Sequence, residues 1–210
     1  MSFAASPDVV PPDVAVFDLG GVVCRFDSQA RLDGLAQACG SRLEVVQDAL
    51  FTSGFDRDCD RGIHPAEDLW HRVRALGFRG SMDELANLWA LAFQPCDDVL
   101  ALVRQCRERR PTALLTDNGH LLLSALPRVL PTVAEAFDQL LFSCTLGSVK
   151  PDPAVFEAAL TRLSVPAERA FFVDDSERNV AAARRAGLRA ETFTDADALA
   201  RDLRATGLID

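Results

Sequence analysis

The clearest pattern along the chain is a series of short apolar runs, each of which ends directly in a polar residue. Four such runs occur: 14–17 before Asp18, 113–115 before Thr116, 140–142 before Ser143, and 171–173 before Asp174. Continuous apolar runs separated by helical segments are typical of a parallel sheet that is covered on both faces. The pattern therefore predicts an α/β fold in which ligands bind beyond the carboxyl ends of the strands.

Proline and glycine positions mark helices between these strands. Asp152 and Pro153 are typical of a helix N-cap and first turn, and apolar residues follow on one helical face at Phe156, Ala159, Leu160 and Leu163. A second helix is predicted to begin after Ser176 and to end at Gly187.

The segment 28–95 has a different character, because its apolar residues recur at helical spacing and no convincing strand is visible between about 28 and 94. The repeating positions are Leu32, Leu35, Ala36, Leu69, Val73, Leu76, Leu85, Leu88 and Trp89. We therefore predict a sheet core from 13–27 and 96–210, a helical insertion over 28–95, and an extended N-terminal tail over 1–12, where Pro7, Pro11 and Pro12 disfavour helix.

Composition and charge narrow the classes of partner. The 210 residues, 49% of them hydrophobic, are enough for one domain or for a core with a modest insertion. A net charge of -9 argues against nucleic acid or an anionic membrane as the main partner.

No apolar run reaches the roughly 18 residues of a membrane span, and no basic leader precedes the first strand, so a cytoplasmic protein is expected. The oligomeric state is not predicted.

Cysteine and histidine give no metal-binding pattern. The six cysteines contain no CxxC pair, which favours reduced thiols packed as small apolar side chains. His64, His71 and His120 are too dispersed for a metal triad, and each is interpreted as a helix-start or surface residue, although His120 lies near Thr116 in sequence.

The residues that end the first two strands can bind phosphate. Asp18 is followed by Gly20 and Gly21, so its carboxylate lies in a turn that a ligand can approach closely. Thr116 offers a hydroxyl, and the backbone N–H groups of Asp117 and Asn118 add donors. A threonine that only caps the following helix is an equally good interpretation of Thr116 alone.

A cation and a carboxylate pair complete the candidate chemistry. Lys150 stands in the turn-rich stretch 147–153, where Pro151 and Pro153 stiffen the backbone and its charge can offset phosphate. Asp174 and Asp175 are adjacent carboxylates that repel each other unless a cation relieves them. Mg²⁺ is the natural candidate, because it prefers hard oxygen ligands and bridges to phosphate.

Taken in order, these motifs resemble the haloacid dehalogenase (HAD) superfamily. The matching stretches are 17–22 around Asp18, 115–118 around Thr116, 149–153 around Lys150, and 173–176 around the acidic pair. The resemblance implies a Rossmann-like core with an inserted α-helical cap, and an aspartyl-phosphate formed on Asp18. It also implies phosphoryl binding by Thr116, Asp117, Asn118 and Lys150. Mg²⁺ would be held by Asp18, the Gly20 carbonyl, Asp174 and Asp175, and the substrate would be a small phosphorylated metabolite.

One position departs from the pattern of the family's phosphatases, which usually carry a second aspartate two residues after the nucleophile. Gly20 occupies that position here, so a general acid and base is missing unless another residue replaces it. Three explanations stay open: a substrate with a good leaving group, a weak or inactive phosphate-binding protein, or a replacement from the helical insertion. The candidates for a replacement are Asp56, Asp58, Asp60 and His64.

Three other functions are compatible with parts of this pattern. Dehalogenases of the superfamily attack carbon with the same aspartate and need no metal, so the pair at 174–175 favours phosphate chemistry. Phospho-acceptor signalling domains gather similar residues, but their acidic pair follows the first strand rather than the last. A phosphate-ligand-binding protein built on this fold is the third alternative, and turnover distinguishes it.

Overall fold

The computed structural model describes residues 10–210, which form seven strands and twelve helices. The strands are β1 Val14–Phe17, β2 Cys24–Phe26, β3 Phe93–Pro95, β4 Thr112–Thr116, β5 Gln139–Phe142, β6 Ala170–Asp174 and β7 Arg189–Thr192. The helices are α1 Ser28–Cys39, α2 Leu43–Gln47, α3 Phe55–Asp60, α4 Ala66–Ala75, α5 Met82–Ala90, α6 Asp97–Arg107, α7 His120–Val129, α8 Pro131–Ala134, α9 Ser143–Leu146, α10 Pro153–Leu163, α11 Glu177–Arg185 and α12 Ala196–Ala205. A π-helical turn spans Asp48–Thr52 and a 3₁₀ turn spans Ala167–Arg169.

Five strands form one parallel sheet in the order β5-β4-β1-β6-β7. This confirms the predicted α/β fold with a Rossmann-like parallel sheet. The four apolar runs became β1, β4, β5 and β6, and β1 lies at the centre of the sheet. Parallel strands present all their carboxyl ends at one edge, so the polar residues that follow them converge there.

The two faces of the sheet are buried by different helices. Val14 and Val16 of β1 pack with residues of α10 and α11, whereas Ala15 and Phe17 belong to a second apolar cluster that includes residues of α6, α7 and α12. Successive strand side chains point to opposite faces, so a run that is apolar throughout must be covered on both. Asp152 caps α10 by accepting a hydrogen bond from the N–H of Ala154 at 3.0 Å, as predicted.

Two strand predictions were incomplete. The expectation of no strand between 28 and 94 is wrong at its end, because β3 pairs antiparallel with β2 through Phe26 and Phe93. Strands of three residues are too short to show a period in sequence. No apolar pattern in the sequence indicates β7, an edge strand in which Ala190 is the one buried residue.

The residues between β2 and β3 form α1 to α5 and the π-helical turn, without another strand. Most of the apolar positions predicted to repeat there are buried, among them Leu35, Val73 and Leu85. Phe51 of the π-helical turn stacks on Trp89 of α5, with ring centroids 6.0 Å apart. This segment contacts the sheet layer through α5 against α7 and through α3 against α9. The division of the chain into core and insertion stays a prediction.

Residues 1–9 of the predicted tail lie outside the described residues, and 10–12 have no regular structure. All six cysteines are free, and only Cys96 is more than slightly exposed. No helix within 10–210 is both long enough and apolar enough to cross a membrane.

Candidate active site

The predicted site residues converge at the carboxyl edge of the sheet. Asp18 follows β1, Thr116 ends β4 and Asp174 ends β6, and these three strands are neighbours in the sheet. Asp18 and Thr116 border a cavity of about 200 Å³, which Lys150 also lines, and Asp174 is hydrogen-bonded to Lys150. The sheet therefore brings together residues that are up to 156 positions apart in the chain (174 − 18).

Lys150 is the centre of a buried ionic cluster. Its ammonium donates to Oδ1 of Asp18 at 2.6 Å, to Oδ2 of Asp174 at 2.8 Å, and to the carbonyl of Leu115 at 3.2 Å. Only 2% of the Lys150 side chain is exposed. An ammonium has three protons to donate, so these three acceptors fix its position. The cluster orients Asp18 and holds a cation next to it.

The Asp174 carboxylate is fully buried and held on both oxygens. Its Oδ1 accepts from the N–H of Ser176 at 2.9 Å and from Nδ2 of Asn179 at 3.0 Å, while Oδ2 accepts from Lys150. Asn179 also lines the cavity, and sequence analysis did not single it out. A buried charge is tolerated only when it is paired in this way.

Hydrogen bonds fix the polar side chains of the loop that follows β4. Nδ2 of Asn118 donates to Oγ1 of Thr116 at 2.7 Å, and the Asp117 carboxylate accepts from the backbone N–H of Lys150 at 3.1 Å. The side chains of Asp117 and Asn118 therefore orient Lys150 and Thr116, and these four are the residues predicted to bind phosphate. All four residues line the cavity.

The Asp175 carboxylate lies at the same edge of the sheet, beside the ionic cluster of Asp18, Lys150 and Asp174. Asp18, Asp174 and Asp175 each place a carboxylate oxygen within 4.8 Å of the others. Gly21 permits this approach, because a Cβ there would lie 2.1 Å from Oδ2 of Asp175, and its φ of +86° is a conformation that glycine adopts readily. The three carboxylates form a set of hard oxygen donors that suits Mg²⁺.

The electrostatics of the cluster favour a bound cation. Burial raises the pKa of the Asp18 carboxyl to about 7, the charge of Asp174 adds to this rise, and Lys150 opposes it. Burial also raises the pKa of Asp175, with Asp174 again adding to the shift. Burial opposes the charge of Lys150, but Asp18 and Asp174 outweigh it and raise the pKa of the ammonium. A divalent cation would favour the ionised carboxylates in the same way.

The helical segment between β2 and β3 contributes three charged residues to the cavity: Arg31 of α1, and Asp56 and Asp60 of α3. The other two suggested replacements lie elsewhere. Asp58 pairs with Arg61 at 3.4 Å and is 41% exposed, and His64 pairs with Asp68 at 3.2 Å beside a separate small cavity.

Arg31 was not singled out from the sequence, because helical periodicity counts an arginine as solvent-facing. It is only 5% exposed, its guanidinium carbon lies 4.4 Å from the ring centre of Trp89, and its Nε donates to the Trp89 carbonyl at 2.9 Å. Its Nη2 finds no hydrogen-bond partner within 10–210. A buried donor without a partner is costly, so it marks a place where a ligand atom would be favourable.

Ser143 joins the helical segment to the sheet. Its hydroxyl donates to the Asp60 carbonyl at 2.6 Å and accepts from the N–H of Asn118 at 3.0 Å. The sequence placed Ser143 at the end of a strand but gave it no role. Because Asn118 orients Thr116, the same hydroxyl connects α3 with the phosphate-binding loop predicted after β4.

A family model for haloacid dehalogenase-like hydrolases matches residues 12–187. The chain belongs to this family. The match confirms the predicted resemblance, and the chain is therefore a HAD-like hydrolase.

Individual relatives of this HAD-like hydrolase differ in their activities. It is 29% identical to phosphatase MT3486 of Mycobacterium tuberculosis (strain CDC 1551 / Oshkosh) over 206 residues, which cover 92% of this chain and 94% of that protein. It is 40% identical to 77 residues of acyl-CoA dehydrogenase family member 10 of Mus musculus, but spans only 7% of the length of that protein.

Solved structures show the shared fold. A HAD family enzyme of Bacteroides thetaiotaomicron, in complex with magnesium and inorganic phosphate, has a TM-score of 0.71 at 20% identity, with 87% of this chain and 94% of that chain covered. L-2-haloacid dehalogenase of Xanthobacter autotrophicus has a TM-score of 0.59 at 20% identity, with 94% and 86% covered. At such identities the likeness concerns the fold alone.

Proposed function

We propose that this HAD-like hydrolase is a Mg²⁺-dependent phosphate monoester hydrolase that acts on a small phosphorylated metabolite. The observation that carries the proposal is the placement of Lys150, whose ammonium lies between the carboxylates of Asp18 and Asp174 at 2.6 and 2.8 Å. Asp175 adds the second member of an acidic pair beside them. Phosphoryl transfer depends chiefly on positioning and on neutralising the transferred charge, and this cluster supplies both.

Asp18 is the proposed nucleophile. Its Oδ1 is held by Lys150, and the cavity above it is also lined by Thr116. Attack of the carboxylate on phosphorus would form an aspartyl-phosphate, which splits one difficult displacement into two easier ones. The ammonium of Lys150, the hydroxyl of Thr116 and the backbone N–H of Asp117 would bind the phosphoryl oxygens. The backbone N–H of Asn118, also expected to contribute, donates to the Ser143 hydroxyl instead.

The Mg²⁺ site is proposed from the donor atoms. Asp18, Asp174 and Asp175 and the Gly20 carbonyl would hold the ion, with Asp174 acting through water because Lys150 and Asn179 already occupy its carboxylate. When bound, the ion would neutralise charge on the phosphoryl group.

We further propose that residues 28–95 act as a cap over the core formed by 13–27 and 96–210. Arg31, Asp56 and Asp60 of that segment line the cavity above Asp18. The leaving group would then contact the cap while the phosphoryl group contacts the core. The identity of the metabolite depends on these cap side chains.

Two other functions are distinguished by experiment. A dehalogenase would use Asp18 against carbon, and a phosphate-binding protein would show no turnover. A panel of phosphate monoesters should be assayed with and without Mg²⁺, beside a 2-haloacid, for the wild type and for Asp18→Asn. We expect Mg²⁺-dependent release of phosphate that Asp18→Asn lacks, and no halide release. Phosphate release that persists in Asp18→Asn would refute the mechanism, and phosphate binding without release would identify the binding protein.

A further inference from the structure

The cavity above Asp18 is bounded on its far side by two acidic residues of one short helix. Asp56 and Asp60 are four positions apart in α3, so they share a helix face, and both line the cavity. Asp58 lies on another face and pairs with Arg61. The helix therefore presents two of its three carboxylates to the place where the leaving group of a phosphate ester would lie.

The end of α3 that carries Asp60 is anchored to the core. The Ser143 hydroxyl donates to the Asp60 carbonyl at 2.6 Å. Two residues later the chain runs so close to α9 that a Cβ on Gly62 would lie 2.2 Å from the carbonyl oxygen of Cys144. The end of α3 that carries Asp60 is thus held by two contacts from α9, while Asp56 is one turn further along the helix from this anchor.

Arg31 supplies an independent observation that favours a ligand in this part of the cavity. Its Nη2 is buried and has no partner within the described residues, and the residue Arg31 lines the same cavity as Asp56 and Asp60. The rings of Trp89 and Phe93 hold the guanidinium at 4.4 and 5.3 Å. An oxygen atom of a leaving group would satisfy this open donor.

We propose that Asp60 is the general acid and base that Gly20 does not provide, acting on the leaving-group oxygen from the helical segment rather than from the nucleophile loop. This inference rests on the proposed phosphatase function. It names a catalytic residue that the sequence could not separate from Asp56, Asp58 and His64.

Asp60 would give up a proton in the first step of the reaction and take one in the second. As the Asp18 oxygen bonds to phosphorus, the bond from phosphorus to the leaving oxygen breaks, and that oxygen takes the proton of the Asp60 carboxyl. The alcohol leaves, and Asp60 is then a carboxylate. In the second step Asp60 takes a proton from water as the water oxygen bonds to phosphorus, and the electron pair of the phosphorus–Asp18 bond returns to Asp18. Asp60 is protonated again, and phosphate is released.

The surroundings of Asp60 keep it protonated at neutral pH. Burial raises the pKa of its carboxyl to about 8, Asp56 and Asp117 add to this rise, and Arg31 opposes it. The thiols of Cys59 and Cys144 also face it, and burial together with this carboxyl raises their own pKa values. A catalytic acid must hold its proton at the working pH, and pairs of carboxylates are a common way to achieve this.

The test compares Asp60→Asn with Asp58→Asn, which removes a carboxylate from the same helix outside the cavity. Each variant should be assayed on an alkyl phosphate, whose leaving group needs a proton, and on p-nitrophenyl phosphate, whose leaving group does not. We expect Asp60→Asn to lose about 10²–10⁴-fold in kcat on the alkyl ester and much less on the aryl ester. Asp58→Asn should resemble the wild type on both. Equal losses of Asp60→Asn on the two esters, or none, would overturn the inference.

Two further measurements exclude a merely structural effect. The double variant Gly20→Asp, Asp60→Asn should regain alkyl phosphatase activity, because a Cβ at Gly20 meets only ordinary contacts with Phe26 at 3.5 Å. The wild-type rate on the alkyl ester should fall as the pH rises through about 8, and Asp60→Asn should lack this decline.

If Asp60→Asn does not fold, Asp60→Ser takes its place. A failure of the phosphatase proposal itself would appear differently, as wild-type protein that hydrolyses neither ester.

Discussion

The carboxylate of Asp175 occupies the space that a side chain at position 21 would fill, since a Cβ on Gly21 would lie 2.1 Å from its Oδ2. Gly21 also has a φ of +86°. The turn after Asp18 therefore reverses the chain and also leaves room for the carboxylate of Asp175. Both requirements exclude any residue with a side chain.

Gly21→Ala should therefore weaken metal binding as well as stability. We expect a loss of about 1–2 kcal/mol in the free energy of unfolding from the left-handed backbone alone. Displacement of Asp175 should also weaken Mg²⁺ binding, so the rise in melting temperature that we expect on adding Mg²⁺ should be smaller than in the wild type. The control is Gly40→Ala, because Gly40 has a φ of +62° with nothing within 4 Å of its Cβ position. The control should lose stability but keep the full Mg²⁺ response, and an equal Mg²⁺ response in both variants would contradict the role of Gly21.

Lys150→Met should be strongly destabilising, because it leaves the buried carboxylates of Asp18 and Asp174 without their cation. Removing one partner of a buried ion pair costs about 3–5 kcal/mol. Urea unfolding should show a loss of this size at pH 8 and a smaller one at pH 5, where the Asp18 carboxyl, whose pKa burial raises to about 7, can take up a proton. Arg61→Met breaks an exposed pair with Asp58, 41% exposed on each side, and should change stability by about 0–1 kcal/mol. Similar losses in the two variants would mean that the cluster does not stabilise the fold.

The contrast between Asp18 and Gly21 shows how far the sequence could predict the site. Asp18, Thr116 and Asp174 follow apolar runs, so a parallel sheet alone brings them to one edge, and the structure has them there. Lys150 was identified by its motif and not by any periodicity. The part played by Gly21 depends on a distance to a residue 154 positions away (175 − 21), which no local pattern encodes.

The helical segment was harder to predict in detail than the sheet. Its periodicity identified buried faces correctly, but it could not orient one helix above another, so Asp56, Asp58 and Asp60 were indistinguishable as candidates. Arg31 was overlooked because its burial depends on aromatic rings from α5 and β3. The strand β7 was overlooked because an edge strand of the sequence RAET has little apolar surface to bury.

The metal-free protein should lose stability as the pH rises. The carboxyls of Asp18 and Asp60 have pKa values of about 7 and about 8 when folded, against an ordinary value of 3.8. The folded state therefore binds more protons than the unfolded state between about pH 4 and pH 8, so the free energy of unfolding is greatest below that range and falls across it. Melting temperatures with a chelator at pH 5 and pH 8 measure this decline. Mg²⁺ should reduce it by favouring the ionised form of Asp18, and a stability that rises with pH in the chelated protein would contradict the assignment.

The contact between Gly62 and Cys144 gives a way to move α3 without touching a catalytic group. Gly62 has a φ of +77°, and a Cβ there would lie 2.2 Å from the Cys144 carbonyl oxygen, whereas Gly54 at the other end of the helix has a φ of +81° and open space. Both Gly62→Ala and Gly54→Ala should cost backbone strain, but only Gly62→Ala should push the Asp60 end of α3 away from the core. We expect Gly62→Ala to raise KM and lower kcat on alkyl phosphates, and to speed amide hydrogen exchange in α3, while Gly54→Ala keeps kinetics near those of the wild type. Identical kinetics in the two variants would show that the docking of α3 does not position the leaving group.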